Sequence, residues 1–580
     1  MSIEKMNRVT IQSATYRALS ISDAILAVVF RYVEQPSVVY TAHGLPILTR
    51  ERDIASLANA ARVCKLFSDA ALSVLWGDLP SLVFLFKILT SLVEQRSDGG
   101  IAYVLHQPLH DQEWFRFKYY ARKVRTSRLV SFTTIDSSVF SQIRRRSGGQ
   151  PILPGMILFR WERNHLSELS RLPELLSQSL LILEVYLGQN QAETNAYDST
   201  LGYFFSSLNL TSPFLREAYL HFSSWSYLVP SLAGFTRLRT LQITLIDGPI
   251  ADALRSCAFL DNLLDFSMEM SHQTLGNEAS VAVAETSGFR RLQRLALIGS
   301  TDLVNAILQC ISSSNLSSIA IDYNYWGNCH AEDIEVHYRI LNLFGTKFHL
   351  SLRKLNIQYS FIYFELHTPS LESFLSPLFP IQGLERLTFD VRQVISCGDE
   401  IIRLVATTWP RIQYVYIESF PPVGNEDVPT PSISTLVNFA HHCPELRYLH
   451  FTGPYFQPPL SDSAQEHTSD PEFPMSHALQ VLYLDIDPDQ SLASRLEIAK
   501  YIDRTFPHLQ FPKANVEKVS SMDSDDDESN EGWVSLELMV LALQSARRTQ
   551  AQRKDEPQGT HHNDSLADLE FEEEWLGLEV

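Results

Sequence analysis

The sequence contains little cysteine, no long apolar run and none of the common catalytic motifs. Six cysteines are scattered over 580 residues without a CxxC pair, which indicates a reducing compartment and free thiols that are mostly buried. The longest apolar run is interrupted by Pro80 and Lys87 and falls short of the about 18 uncharged residues of a membrane span. The first residues lack the basic and apolar regions of a secretory signal. We therefore expect a cytoplasmic or nuclear protein with no membrane partner.

Positive charge is also scarce. The net charge is −20, of which residues 517–580 carry −12, so the first 516 residues are only mildly acidic at −8. Binding to a nucleic-acid backbone requires a positive surface. The composition therefore argues against a nucleic-acid partner.

Motifs for phosphate loops, dinucleotide binding, zinc proteases and serine hydrolases are absent. Cys329 and His330, followed by Glu335 and His337, offer metal-ligand atoms without the spacing of a second pair. The segment His441–Cys443 lies where a helix is expected to end, so we interpret its cysteine as a packed core residue. We predict no cofactor, no metal and no covalent chemistry. A metal-dependent hydrolase at Cys329–His337 is the least favoured alternative.

Two apolar helical patterns lie near the start of the chain. In the stretch Leu19–Val33, Ser20 and Asp23 form a helix start signal just before an apolar run whose residues fall on two faces. A second pattern runs over Leu57–Trp76, with Val63 and Phe67 on its main stripe. A short helix with two apolar stripes must bury both of them. One stripe of the first helix therefore needs a covering surface from outside the module.

These residues resemble the F-box, the three-helix module that docks a receptor onto a Skp-type adaptor of a cullin–RING ubiquitin ligase. The leading Leu19 is followed by Ser20 and Ile21 where the family has proline, and residues 34–52 insert a loop rich in turn and polar residues. The resemblance implies a module over residues 17–79, a Skp-type adaptor and, through it, cullin and RING subunits as partners. The adaptor-binding residues that it implies are Leu19, Ile25, Leu26, Phe30, Val33, Val63, Cys64, Phe67 and Trp76.

Residues 80–160 are predicted to be linker helices. Residues 116–146 hold nine Lys or Arg and one acid, Asp136. Such a stretch is either a docking surface for an acidic or phosphorylated partner or a solvated helix face followed by a loop. The second interpretation is favoured.

From residue 180 onward an L-x-x-L-x-[LIVF] pattern recurs eleven times, with starts 23 to 36 residues apart. Its alternation suits a short strand with one buried face, and its period is that of leucine-rich repeats. Proline often follows the intervening helix, as in HHCPELRYLHF. The pattern predicts an irregular leucine-rich-repeat solenoid over residues 161–512, with an ordinary α/β sheet domain as the alternative. It resembles the degenerate repeats of the fungal F-box family.

The second and fourth positions after the first leucine of each motif are predicted to face away from the core. In the last repeats these positions are aromatic, and the ladder that they form is predicted to bind a protein substrate. Its residues are Tyr414, Tyr416, Tyr448, His450 and Tyr483. The alternative is that the tail or an insertion loop covers them.

Residues 513–580 are predicted to be a mostly disordered acidic tail, with a possible capping helix over 533–548. The sequence thus predicts an α/β protein with an F-box-like helical module, a repeat solenoid and an acidic tail. The resemblance implies the substrate receptor of an SCF-type ubiquitin ligase, a non-catalytic subunit. The alternative is a repeat scaffold without ligase association, in which the helical module caps the solenoid.

Overall fold

The structure, a computed structural model, describes most of the chain from residue 34 to residue 555. The described residues are 34–40, 46–52, 54–97, 100–130, 133–163, 175–187, 194–222, 232, 234–245, 250–270, 287–323, 327–329, 331–359, 362–364, 370–420, 429–453, 455–459, 477–487, 490–509 and 528–555.

Strands and helices alternate along this part of the chain. The strands are β1 Glu34–Tyr40, β2 Pro46–Arg52, β3 Asp78–Leu79, β4 Leu92–Ser97, β5 Gly100–Leu105, β6 Thr126–Val130, β7 Thr133–Ile135, β8 Leu158–Arg163, β9 Ile182–Leu187, β10 Glu217–Phe222, β11 Thr240–Leu245, β12 Asp265–Met270, β13 Arg294–Ile298, β14 Ser318–Asp322, β15 Gly327–Cys329, β16 Lys354–Tyr359, β17 Ile362–Phe364, β18 Arg386–Val394, β19 Tyr414–Phe420, β20 Tyr448–Thr452 and β21 Val481–Leu484. The α-helices are α1 Ile54–Ala60, α2 Lys65–Leu75, α3 Val83–Phe86, α4 Asp111–Ala121, α5 Ser137–Ser147, α6 Thr194–Thr211, α7 Ile250–Ala258, α8 Thr301–Cys310, α9 Ala331–Lys347, α10 Leu371–Leu375, α11 Asp399–Thr408, α12 Leu436–His442, α13 Leu492–Thr505 and α14 Glu528–Asp555.

Fourteen strands form one long parallel sheet, from β3 at one edge to β21 at the other, in the order of the chain. Each of the eleven L-x-x-L-x-[LIVF] motifs supplies one of these strands, β9 to β14, β16 and β18 to β21. One strand per repeat, stacked in sequence and returned through helices, is the architecture of a leucine-rich-repeat solenoid.

The motif residues bury one face of the sheet against the helices. In the repeat that contains β20, Leu446, Leu449 and Phe451 are buried, whereas Tyr448 and His450 between them are partly exposed. A single hydrophobic core runs from Leu79 to Val540 through these positions. The alternation of strand side chains therefore separates a core face from an open face.

A second set of contacts ties several repeats to the repeat before them. In two repeats a buried serine lies three residues before the first motif leucine and donates to a carbonyl of the preceding repeat. Ser212 Oγ donates to Ser177 O at 2.9 Å, and Ser313 Oγ donates to Leu292 O at 2.7 Å. Cys443 takes this place in a later repeat, where Sγ donates to Ala406 O at 3.2 Å. Burial raises the pKa of this thiol to about 12.

The solenoid begins earlier than residue 161. Residues 80–160 were expected to be linker helices, but β6 and β8 belong to the parallel sheet, and β3 is its first strand. Their inward positions are Ser127, Phe159 and Trp161, all fully buried. Because these residues are not leucines, the repeat pattern did not reveal them.

The structure also corrects two local predictions in the helical module. The insertion at 34–52, expected to be a loop, contains the antiparallel pair β1 and β2, whose β-branched and aliphatic residues suit strands. The pattern over Leu57–Trp76 divides into α1 and α2, with a turn between them. Val63 in that turn is 69% exposed, so the apolar stripe is interrupted.

Helix α14 packs against α13, the helix of the last repeat. Leu536 and Val540 of α14 are buried in the common core, and Arg547 forms an ion pair with Asp503. The predicted capping helix over 533–548 is longer at both ends and includes 528–532, which were expected to belong to the disordered acidic tail. Residues 513–527 and 556–580 lie outside the described residues.

Candidate interaction surface

The aromatic ladder occupies the open face of the last three strands of the sheet. The strand register places Tyr414 beside Tyr448, and Tyr416 beside His450 and then Tyr483. The ring centroids of Tyr414 and Tyr448 are 4.4 Å apart, those of Tyr416 and His450 4.1 Å, and those of His450 and Tyr483 4.8 Å, all with nearly parallel planes. The ladder predicted from the repeat pattern is present, and its role in binding stays a prediction.

Charged and polar groups border the ladder. The Arg386 guanidinium lies 4.6 Å from the centroid of the Tyr414 ring, a cation–π contact. At the opposite side the Tyr416 hydroxyl donates to Glu418. Burial and the Glu418 carboxylate raise the pKa of Tyr416, and burial lowers the pKa of His450 to about 4. At neutral pH the ladder is therefore uncharged, with a cation on one side and an anion on the other.

Each ring of the ladder is partly buried and stacks on at least one neighbouring ring. Helix α14, the described part of the tail, packs on α13 in the helix layer. A stacked array held on paired strands loses little side-chain freedom when a partner binds, because its rings are already immobilised.

Three further rows of residues cross the same face, and the sequence analysis did not identify them. The basic row is Arg294, Lys354 and Arg386. The floor consists of the small or polar side chains Ser267, Ala296, Ala320, Asn356 and Thr388. The acidic row is Glu269, Asp322, Asp390 and Glu418. Aligning the second, fourth and sixth positions after each first motif leucine would have revealed all three.

The predicted adaptor-binding residues divide into four groups. Leu19, Ile25, Leu26, Phe30 and Val33 lie outside the described residues. Val63 and Cys64 are exposed in the turn between α1 and α2. Phe67 is half-buried against a small cluster made by Leu57, Ala70, Ala71 and Val74.

Trp76 points toward the solenoid instead. Its ring centroid lies 4.4 Å from that of Tyr120 on α4. The Tyr119 hydroxyl donates to Asp69 Oδ1 of α2 at 2.6 Å, and Lys123 Nζ donates to Ser73 Oγ at 2.9 Å. These contacts fix α2 to the first repeat.

Of the four metal-ligand candidates, the structure places the side chains of Glu335 and His337. His337 is fully buried, with its ring 4.6 Å from Tyr323 and 5.1 Å from Tyr359, and His330 lies outside the described residues. Among the residues that the structure describes, no group of three His, Cys, Asp or Glu side chains could hold a metal ion. The same residues include no helix long and apolar enough to cross a membrane.

Part of the basic stretch at 116–146 is engaged within the fold. Arg146 forms an ion pair with Asp111 at 2.6 Å and donates to Leu109 O at 2.8 Å. Arg125 Nη1 donates to Gly155 O at 2.9 Å. These contacts give part of the stretch a structural role.

The sequence matches no protein-family model and no curated protein. Among solved structures, the chain is similar to a leucine-rich-repeat protein from Leptospira interrogans, with 10% identity and a TM-score of 0.34 over 75% of this chain and 99% of that chain. It is also similar to an internalin from Listeria monocytogenes, with 12% identity and a TM-score of 0.29 over 60% of this chain and 85% of that chain. Both TM-scores are low, so the repeat architecture of this chain rests on its own strand pairing and motif spacing.

Proposed function

We propose that this chain is a protein-binding scaffold whose recognition surface is the open face of its parallel sheet. The observation that carries the proposal is the stacked ladder of Tyr416, His450 and Tyr483, which is partly exposed on the face of the sheet opposite the described helices. Tyrosine-rich surfaces with a polar border are enriched at protein interfaces. Large rings held in register supply contact area at a low entropic cost.

The test replaces Tyr416 and Tyr483 by alanine together. Loss of every partner that copurifies with the wild type would support the proposal, and retention of all of them would reject it. Tyr203→Ala is the matched control, because Tyr203 is 61% exposed on α6, in the helix layer. Circular dichroism of both variants confirms that they fold.

We further propose that the scaffold serves as the substrate receptor of an SCF-type ubiquitin ligase. This proposal is supported by the F-box resemblance and by the exposure of Val63 and Cys64 beside α1 and α2. The partner subunits would carry out ubiquitin transfer, and the solenoid would raise the effective concentration of substrate lysines near them. No covalent step is assigned to this chain.

A scaffold without ligase association is the alternative, and one observation favours it. The Trp76–Tyr120 stack and the Asp69 contacts use part of α2 to close the N-terminal end of the solenoid, as a capping element does. The two functions differ in whether the exposed turn of the module contacts a second protein.

The experiment is a pull-down of a purified Skp-type adaptor by the wild type and by Val63→Asp. The receptor function predicts binding by the wild type and at least a tenfold weaker interaction for the variant, because an apolar contact is replaced by a buried charge. Leu538→Asp, at a site 50% exposed on α14, is the control. Absence of binding by the wild type would leave the scaffold function alone.

A further inference from the structure

Positive charge collects at the edge of the long sheet where the repeat strands begin. In each of the eleven motifs, the first residue and the two residues on either side of it lead the chain into its strand. We call these eleven short segments the strand-start edge; the basic row is part of it. The edge contains eleven Lys or Arg and five Asp or Glu, a net charge of +6 in a chain whose net charge is −20.

The backbone holds the segments of the strand-start edge in one continuous line. The residue after the first motif leucine donates its amide to the carbonyl of the equivalent residue in the preceding repeat. Arg239 donates in this way to Arg216 at 2.7 Å, and Arg447 donates to Gln413 at 2.9 Å. Eight strand-to-strand steps separate Arg216, before β10, from Arg447, before β20. At about 4.8 Å a step, these two residues are about 38 Å apart.

The acids of the strand-start edge are too few to balance its cations. In the described part of the chain, one cation of the edge forms an ion pair, Arg294 with Asp265. Ten cations and four acids then remain. Six cations would stay unbalanced even if each remaining acid neutralised one. The remaining acids are Glu217, Asp261, Glu385 and Glu445.

The contacts of the ten remaining cations are with neutral groups or are absent. Arg237 and Arg386 lie over aromatic rings, Arg291 donates to an asparagine side chain, and Arg353 donates to a backbone carbonyl. The other six are exposed, and their side chains form no hydrogen bond, ion pair or ring contact with a described residue. These six are Arg216, Arg239, Arg290, Lys354, Arg411 and Arg447.

Helix α14 ends near one end of the strand-start edge. Phe506, directly after α13, packs against His477 in the segment that leads into β21, with ring centroids 5.3 Å apart. Three residues earlier, Asp503 forms an ion pair with Arg547 of α14. The helix ends eight residues later at Asp555, about 12 Å along its axis. Residue 556 therefore follows a point near the β21 end of the edge.

Residues 556–580 have the charge and the length to follow the strand-start edge. They contain eight Asp or Glu and no Lys or Arg. An extended segment of 25 residues spans up to about 80 Å, which exceeds the length of the edge. A short tether keeps such a segment at an effective concentration of about millimolar near its site. A free acidic partner reaches that level only at a comparable concentration.

We propose that the acidic segment 556–580 docks in cis along the strand-start edge, with its carboxylates facing the unbalanced cations. The inference goes beyond the proposed protein-binding function and does not depend on it. Tyr414 and Tyr448 of the ladder are the first residues of β19 and β20, so the docked segment borders the ladder. Because the contact joins exposed charges, salt weakens it.

The test places a photo-crosslinking amino acid at Phe571 in the full chain. Mass spectrometry then maps the adducts that form at low and at high salt. A mixture of isotopically heavy and light chains separates adducts within one chain from adducts between two chains. The test variant removes three exposed cations of the edge and is Arg239→Gln/Lys354→Gln/Arg447→Gln.

The control variant removes the same charge from exposed positions before the first motif, partly within the basic stretch at 116–146. It is Arg62→Gln/Arg116→Gln/Arg145→Gln. At low salt we expect adducts within one chain on the strand-start edge. Their yield should fall about fivefold or more at high salt and in the test variant, and should be unchanged in the control variant.

Four results would overturn the inference. They are absence of adducts on the strand-start edge at low salt, equal yields in the test and control variants, adducts mainly between heavy and light chains, and adducts on the basic stretch that the control variant loses. The first result leaves the edge without the tail, the third assigns it to a second copy of the chain, and the fourth assigns the tail to the basic stretch.

Discussion

His337 is a titratable residue held in an aromatic part of the core. Its ring lies between Tyr323 and Tyr359 and has no exposed surface. Burial lowers its pKa from 6.5 to about 3. The unfolded chain therefore binds more protons at this site than the folded chain between about pH 6.5 and pH 3, and stability falls as the pH drops through that range.

Replacing His337 by phenylalanine should reduce the acid sensitivity of the fold. In the wild type this residue is expected to cost about 2 kcal/mol at pH 5 relative to pH 8. Urea unfolding of the two proteins at both pH values measures the difference. His442→Gln, at an exposed helix end, should behave like the wild type. The same pH dependence in wild type and His337→Phe would contradict the assignment.

At the scale of the element, the ladder is also a source of stability for the last strands. His450 stacks on Tyr416 and on Tyr483, and aromatic pairs contribute about 0.5–1.5 kcal/mol each. His450→Ala is therefore expected to lower the free energy of unfolding by about 1–3 kcal/mol. Its core neighbour Leu449→Ala should cost more, about 2–5 kcal/mol. Urea denaturation compares them, and an unaltered midpoint for His450→Ala would show that the stack contributes nothing.

Helix α14 carries a glutamate in its buried face. Glu537 is 2% exposed, and burial raises its pKa to about 7. Because the docked helix favours the protonated form, the docking contribution is fully present below about pH 4.5 and is lost as the pH rises through about 7. Hydrogen exchange of α14 should therefore quicken between pH 5.5 and pH 8, after correction for the intrinsic rate.

Glu537→Gln keeps the shape of the side chain and removes its titration. The corrected exchange of α14 in this variant should not depend on pH in that range. An identical pH dependence in wild type and variant would show that another group controls the docking.

At the scale of the whole molecule, the sequence predicted the solenoid well and its limits poorly. Each motif of the L-x-x-L-x-[LIVF] series became one strand, in chain order, because its leucines bury against the helix layer wherever they occur. Strands β6 and β8 were missed because Ser127, Phe159 and Trp161 fill the same positions without that pattern. Where a solenoid begins and ends depends on which residues pack at its two ends. The spacing of the repeat motifs gives no information about those residues.

For the candidate site, too, the sequence predicted one part and missed another. The ladder followed from the motif register, since residues at equal positions in neighbouring parallel strands must lie side by side. The apolar stripe predicted through Val63 is interrupted, because the chain turns between α1 and α2. The spacing of apolar residues alone cannot show such a turn. Trp76, directly after α2, stacks on Tyr120 of α4, a tertiary contact that no local pattern indicates.

The central claim is that the open face of the sheet holds a protein partner. The most direct measurement places a photo-crosslinking amino acid at Tyr448 on the ladder or at Tyr203 on α6, in the full chain, and identifies the adducts formed with a copurifying partner. The account predicts adducts from position 448 and none from position 203. Adducts from position 203 alone would contradict it.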